Sequence, residues 1–202
     1  MPSPSRLLFL PGASGDTAFW QPLAQRLQHG AEREIVAYPG FGAEPPDPSI
    51  RSLDELLDRV LARLDRPSAL IAQSMGGVLA MRAALARPEL VTHLVLCVTS
   101  GGIEVEALGA ADWRAAFRAG HASLPEWFPA YRGDLTGQLP GVMQPTLLIW
   151  GDHDPFSPPA IGERLLGLLP DARLHVVRGG RHDLASVHAA ALAPLVDAHL
   201  RR

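Results

Sequence analysis

The chain contains no lysine: all 18 of its basic residues, in a length of 202, are arginine. Ala, Pro and Gly are correspondingly abundant, which reads as genomic base composition more than chemistry. A dominant charge sign is also missing. Acidic and basic residues are mixed and the net charge is −3, so no basic face exists for nucleic acid or an anionic membrane. The single Cys97 excludes internal disulfides and Cys-rich metal sites. Its place in the apolar run 94–98 marks it as a buried structural thiol. No stretch approaches the ~20 apolar residues that span a bilayer. Residues 1–6 lack a charged n-region and 7–10 are too short for a signal core, so a reducing, cytoplasmic setting is expected. What is present is hydrophobic content, 47%, enough for one domain over 1–202 with a sizeable core.

Apolar runs and helical patterns alternate along the chain. Strands are expected at 6–10, 34–38, 68–73, 92–98, 146–150 and 173–177. Helices are expected at 19–28, 52–64, 75–87, 157–169 and 184–200. Ser52-Leu53-Asp54-Glu55 reads as a capping box, and Leu53, Leu56, Leu57, Val60, Leu61 and Leu64 keep one apolar helical face. Between 103 and 144 the rhythm breaks. That stretch carries Trp113, Phe117, Trp127, Phe128 and Tyr131 with Pro and Gly between them, as expected of an inserted lid of two short helices. The alternation predicts a three-layer, doubly wound α/β fold with a six-stranded parallel sheet. Ligands bind such sheets at the carboxyl ends of the strands.

One junction stands out. The apolar run 69–72 turns at Ser74 directly into a helical pattern beginning at Met75. Such a turn strains the corner residue and lifts its side chain clear of the sheet. Ala72 and Gly76 leave room for it, and the helix aims its N-terminal N–H groups at the same spot. A hydroxyl there can attack a carbonyl and leave the oxyanion on backbone. The plain alternative is a buried Ser in an ordinary βα turn. His182, after the last strand in Gly179-Gly180-Arg181-His182, supplies a base. Asp152 and Asp154, after the preceding strand, are both available to orient it.

Ser, Asp and His in that chain order, each after a separate strand, resemble the α/β-hydrolase superfamily over nearly the whole chain. The resemblance implies further roles. Gly151-Asp152-His153-Asp154-Pro155 is similar to the family's Gly-x-x-Asp segment, which selects Asp154 as the triad acid. Pro11-Gly12-Ala13 stands where the family has His-Gly-x, implying the N–H groups of Ala13 and Met75 as oxyanion donors. Pro11 replaces the usual His, and Ala72 the usual first Gly of the elbow. Related enzymes open with an antiparallel strand pair, for which the five residues before Arg6 leave no room. An all-parallel sheet with an exposed edge at 35–38 is therefore expected. Gly40-Phe41-Gly42 resembles the loop that shapes the entrance.

The activity implied is a serine hydrolase, foremost a carboxylesterase on small or medium apolar esters, with no cofactor or metal. Expected pocket walls are Ser14, Phe19, Trp113, Phe117, Trp127, Phe128, Phe156 and Leu184, although the lid aromatics equally suit a small core of the lid's own. Thioesterase, carbon–carbon hydrolase, lyase or perhydrolase chemistry would use the same triad. A non-catalytic binding or interaction protein is a further alternative. Asp at the elbow, as in epoxide hydrolases and dehalogenases, is absent. The partner expected is a small acyl substrate, with a monomer or homodimer as the assembly. Asp152, His153, His182 and Asp183 match no trusted zinc spacing. His29, His93, His121, His175, His188 and His199 are read as surface or packing residues. Arg114, Arg118 and Arg132 are read as solvated, unless one points inward to meet a substrate carboxylate.

Overall fold

The computed structural model describes residues 2–120 and 125–202, and all of their side chains except those of Ala115, Ala116 and Arg118. Six strands form one sheet in the order β2-β1-β3-β4-β5-β6. They are β1 (Arg6–Leu10), β2 (Glu32–Ile35), β3 (Ser68–Gln73), β4 (Val91–Cys97), β5 (Thr146–Gly151) and β6 (Ala172–Val177). Every pairing is parallel. The four inner strands are buried along their whole length, which is why their sequences show no alternation. The helices are α1 (Gln21–Ala24), α2 (Leu53–Leu61), α3 (Met75–Ala86), α4 (Arg114–Gly120), α5 (Trp127–Ala130), α6 (Pro159–Leu168), α7 (Leu184–Val187) and α8 (Ala189–His199). α1 packs on α7 and α8, and α2 on α3, forming helical layers about the sheet.

From β1 the chain steps outward to β2, then returns to the other side of β1 as β3. This reversal opens a crevice at the carboxyl ends of β1 and β3. The loop 11–15 and Ser74 lie there.

Three elements differ from expectation. The edge strand is Glu32–Ile35, not 34–38. Its charges follow Arg6, which is buried in β1 yet lies 3.2 Å from Asp65 and 3.7 Å from Glu34, and donates to the Arg63 carbonyl at 2.8 Å. Val36 and Tyr38 then leave the edge and are buried in the core. The first helix is short, a 3₁₀ turn at Thr17–Trp20 followed by α1. It cannot run to 28 because the buried Asp197 carboxylate of α8 accepts the N–H groups of Gln28 and His29. The last helix is broken at His188, whose backbone leaves the helical region, and becomes α7 and α8.

Residues 103–144 connect β4 to β5, neighbours in the sheet, and hold α4, α5 and two 3₁₀ turns. Backbone bonds tie this stretch down, from Ala111 N–H to the Pro155 carbonyl and from Leu135 N–H to the Gly102 carbonyl, both at 2.8 Å. Among the described residues no helix is long and apolar enough to cross a membrane.

Two histidines are core residues. His93 of β4 and His199 of α8 meet edge to face at 5.5 Å, and His199 Nε2–H donates to the Leu94 carbonyl at 3.0 Å. Burial is the main cause that lowers each from 6.5 to about 4. Below about pH 6.5 the unfolded chain therefore binds protons that the folded chain refuses until about pH 4. Stability is unaffected by this pair above that window and falls as pH drops through it, by up to about 1.4 kcal/mol per pH unit for each His. Urea midpoints for wild type and His93→Gln/His199→Gln, measured from pH 7 to 4.5, should show the flatter slope in the variant. Equal slopes would refute the account.

Candidate active site

β3 and α3 are both buried, and one residue separates them. Ser74 adopts φ 53° and ψ −120°, outside the regions a non-glycine residue prefers. Three bonds hold it there. Its N–H donates to the Cys97 carbonyl at 3.1 Å, and its carbonyl accepts the Gly77 N–H and, at 2.6 Å, the Thr99 hydroxyl. The loop 11–15 crosses so close above α3 that a Cβ on Gly76 would collide with the Leu10 and Pro11 carbonyls. Ser74 is the one residue between 69 and 81 that is neither buried strand nor buried helix, and its side chain opens on a cavity.

The acid and base loops meet through their backbones. His153 N–H donates to the Gly180 carbonyl at 2.9 Å, and a Cβ on Gly151 would strike that same carbonyl. This contact brings Asp154 to His182. Asp154 Oδ2 accepts from His182 Nδ1 at 2.7 Å, and its Oδ1 accepts the N–H groups of Phe156 and Ser157 at 2.9 and 3.2 Å. The Asp154 side chain is fully shielded from solvent, whereas that of His182 is 32% exposed. Asp152, the other candidate, is turned away and accepts the Gly179 N–H at 2.6 Å, closing the loop. With Nδ1 committed, Nε2 is the ring nitrogen left for exchange. Phe156 stands edge-on to His182 at 5.6 Å. Gln73 Nε2 donates to the His182 carbonyl at 3.2 Å, tying the base loop to the strand that carries Ser74.

Ser74 and His182 line one cavity of about 530 Å³, without a direct hydrogen bond between them. Catalytic contacts are commonly loose before substrate binds. Ala13 and Met75 border the cavity beside Ser74, as do Ser14, Trp113, Phe117, Phe128 and Phe156 among the predicted walls. Phe19, Trp127 and Leu184 do not. Phe19 packs edge-on to Trp20 at 4.9 Å, Trp127 packs on Phe41 at 5.8 Å, and Leu184 is sealed in the core. The lid aromatics are thus divided: Trp113 and Phe128 stack at 5.1 Å on the cavity side, while Trp127 packs on the buried Phe41 of the loop after β2. Phe41 accordingly does not border the cavity.

Sequence reading missed several walls. Val78, Ile103, Val105 and Tyr131 line the cavity without any motif to mark them. Val98 does so at φ 42°, a strained geometry that a β-branched residue gives no hint of adopting. Arg114 and Arg132 also border it: Arg114 is half-buried, whereas Arg132 is exposed, as expected of it. Arg118's side chain and His121 lie outside the described residues. Among the described residues no three His, Cys, Asp or Glu side chains cluster as a metal site requires. Cys97 is buried, and burial raises its thiol pKa.

Comparisons with known proteins place the chain in a family. Residues 7–198 match the model of the alpha/beta hydrolase family. The chain belongs to that family. It is 29% identical, over 96% of its length, to the polyketide synthase ThaQ of Burkholderia thailandensis, of which it spans only 12%. It is 25% identical to the pimeloyl-[acyl-carrier protein] methyl ester esterase of Nitrosomonas europaea, with 83% of this chain and 84% of that protein covered. In three dimensions it resembles a bacterial membrane phospholipase A with a TM-score of 0.81 at 21% identity, covering all of this chain and 80% of the other.

The loop contact at Gly151 gives a direct test. Gly151→Ala should push the two loops apart and lengthen the Asp154–His182 bond. The expected result is loss of a low-field proton resonance from His182 Nδ1–H, with a stability cost of about 1–3 kcal/mol. An unchanged resonance in a folded variant would show that the contact does not position the pair.

Proposed function

We propose that the protein is a serine carboxylesterase acting on small or medium apolar acyl groups. The observation that carries this reading is one cavity shared by a strained, cavity-facing Ser74 and by His182, whose Nδ1 is held by the shielded Asp154. His182 Nε2 takes the Ser74 hydroxyl proton as Oγ attacks the ester carbonyl. The tetrahedral oxyanion is received by the N–H groups of Ala13 and Met75, the latter at the start of α3 where helix N–H groups lack intrahelical partners. His182 then returns the proton to the departing alkoxide, leaving an acyl group on Ser74. A water, deprotonated by His182, attacks that acyl group, and the acid leaves as Ser74 recovers its proton. Asp154 stays ionised and stabilises the imidazolium in both halves. Each oxyanion donor is worth about 3–4 kcal/mol of barrier. Every proton passes through His182 and the developing charge falls on backbone, so the route calls on no metal or cofactor.

The mostly apolar walls favour an acyl chain over a sugar or a nucleotide. The methyl ester esterase of Nitrosomonas europaea supports ester cleavage as the reaction.

Intact-mass analysis after treatment with a fluorophosphonate probe tests the nucleophile. Wild type should gain one adduct that maps to Ser74, and Ser74→Ala none. An adduct surviving in Ser74→Ala, or no adduct on folded wild type, would overturn the proposal. Across a p-nitrophenyl ester series, Asp154→Asn should lower kcat roughly 10⁴-fold, as expected when the imidazole loses its orienting acceptor.

A further inference from the structure

The cavity is not apolar throughout. Val78 of α3, Tyr131, Arg114 and Arg132 also line it. The two guanidinium groups stand side by side. Arg114 Nε and Arg132 Nη1 both donate to the Pro129 carbonyl, at 3.3 and 2.9 Å. Arg114 also lies over the Trp113 ring, 5.2 Å from its centroid. Arg132 Nη1 donates in addition to the Tyr131 carbonyl at 2.8 Å.

The pair is poorly neutralised. A carbonyl oxygen shared by two cations carries no full charge. Asp112 is the one carboxylate bonded to either of them among the described residues. It accepts the Arg114 backbone N–H at 3.0 Å and lies 3.5 Å from Arg114 Nη1, but its side chain is 69% exposed, and an exposed pair of that kind is worth little. Glu104 and Glu106, on the stretch after β4, also border the cavity. Both are exposed and neither pairs with Arg114 or Arg132. The same cavity is also lined by Val78, Ile103, Trp113, Phe117 and Phe128.

A cavity that holds Ser74, apolar walls and a pair of adjacent guanidinium groups suits a particular kind of substrate. We propose that Arg114 and Arg132 form a carboxylate subsite, so that the preferred substrate is an ester whose acyl chain ends in a free carboxylate. Guanidinium groups meet a carboxylate through paired N–H donors, which gives orientation as well as affinity. The subsite rests on the esterase reading for the position of the reacting carbonyl, and it is tested by binding so that the two can fail separately.

Calorimetric titration of the Ser74→Ala protein with monomethyl suberate and with methyl octanoate reads the subsite without turnover. The carboxylate-bearing ester should bind roughly tenfold tighter or more. That preference should collapse in Ser74→Ala proteins that also carry Arg114→Met or Arg132→Met. Asp112→Asn, which removes the competing anion, should increase it, a change that a merely structural arginine pair does not predict. Equal affinity for the two esters, no binding of either, or a preference that survives both arginine substitutions overturns the subsite. Hydrolysis of the same esters by wild type tests the esterase reading by itself. Tight, arginine-dependent binding without hydrolysis would leave the subsite standing and remove the reaction.

Discussion

At Ser74 the backbone passes from a fully buried strand to a fully buried helix within one residue. Neither element can shift, because β3 lies between β1 and β4 in the sheet and α3 packs on β1, β3 and β4. The turn must therefore be taken in a sparsely populated conformation, which costs of the order of 1–3 kcal/mol and is held only because its surroundings over-determine it. Those surroundings are specific. The Thr99 hydroxyl and the Cys97 carbonyl fix the corner from β4, and the absence of a side chain at Gly76 lets the β1 loop press on the helix start. Val98, the next strained residue, sits at the end of the adjacent strand and faces the same cavity. Strain is thus concentrated where the chemistry is proposed.

The second constraint is a backbone contact between the β5 and β6 loops. Gly151 and Gly180 let them touch, and the touch carries Asp154 to His182. Asp152 and Asp154 are separated by one residue yet have opposite duties. One closes the His loop from solvent, and the other is shielded beneath it. Gln73 links this second assembly to the first. The nucleophile candidate, the base and the acid are in this way placed by main-chain packing at strand ends, with side chains making the last connection.

The lid has a different character. Backbone bonds at Ala111 and Leu135 anchor it, and it is divided between residues that pack on the body of the fold, as Trp127 does on Phe41, and residues that face the cavity. Such a segment determines what enters, while the strand ends determine what happens. Family membership is shown over residues 7–198, and relatives with differently named activities share the fold.

The alternation of apolar runs with helical patterns was sufficient for the parallel sheet, because strands covered on both faces must be continuously apolar. The turn at Ser74 was legible for a related reason, because a small residue, a serine and a glycine at a strand-to-helix junction leave a local mark, whereas Asp154 was separated from Asp152 only by the family resemblance. Boundaries governed by distant partners were not. The edge strand began two residues early because its acids follow Arg6, and α1 ended early because Asp197, 169 residues beyond Gln28, takes its backbone donors. Pocket walls were legible only in part. A large apolar side chain near the site can face either side, and the choice for Trp127 in the lid, and for Phe19 and Leu184 outside it, was made by neighbours that no spacing reveals. The placing of the half-buried Arg114 and the exposed Arg132 beside the cavity belongs to the same class: local sequence specifies a charge, and only tertiary packing determines which cavity it borders.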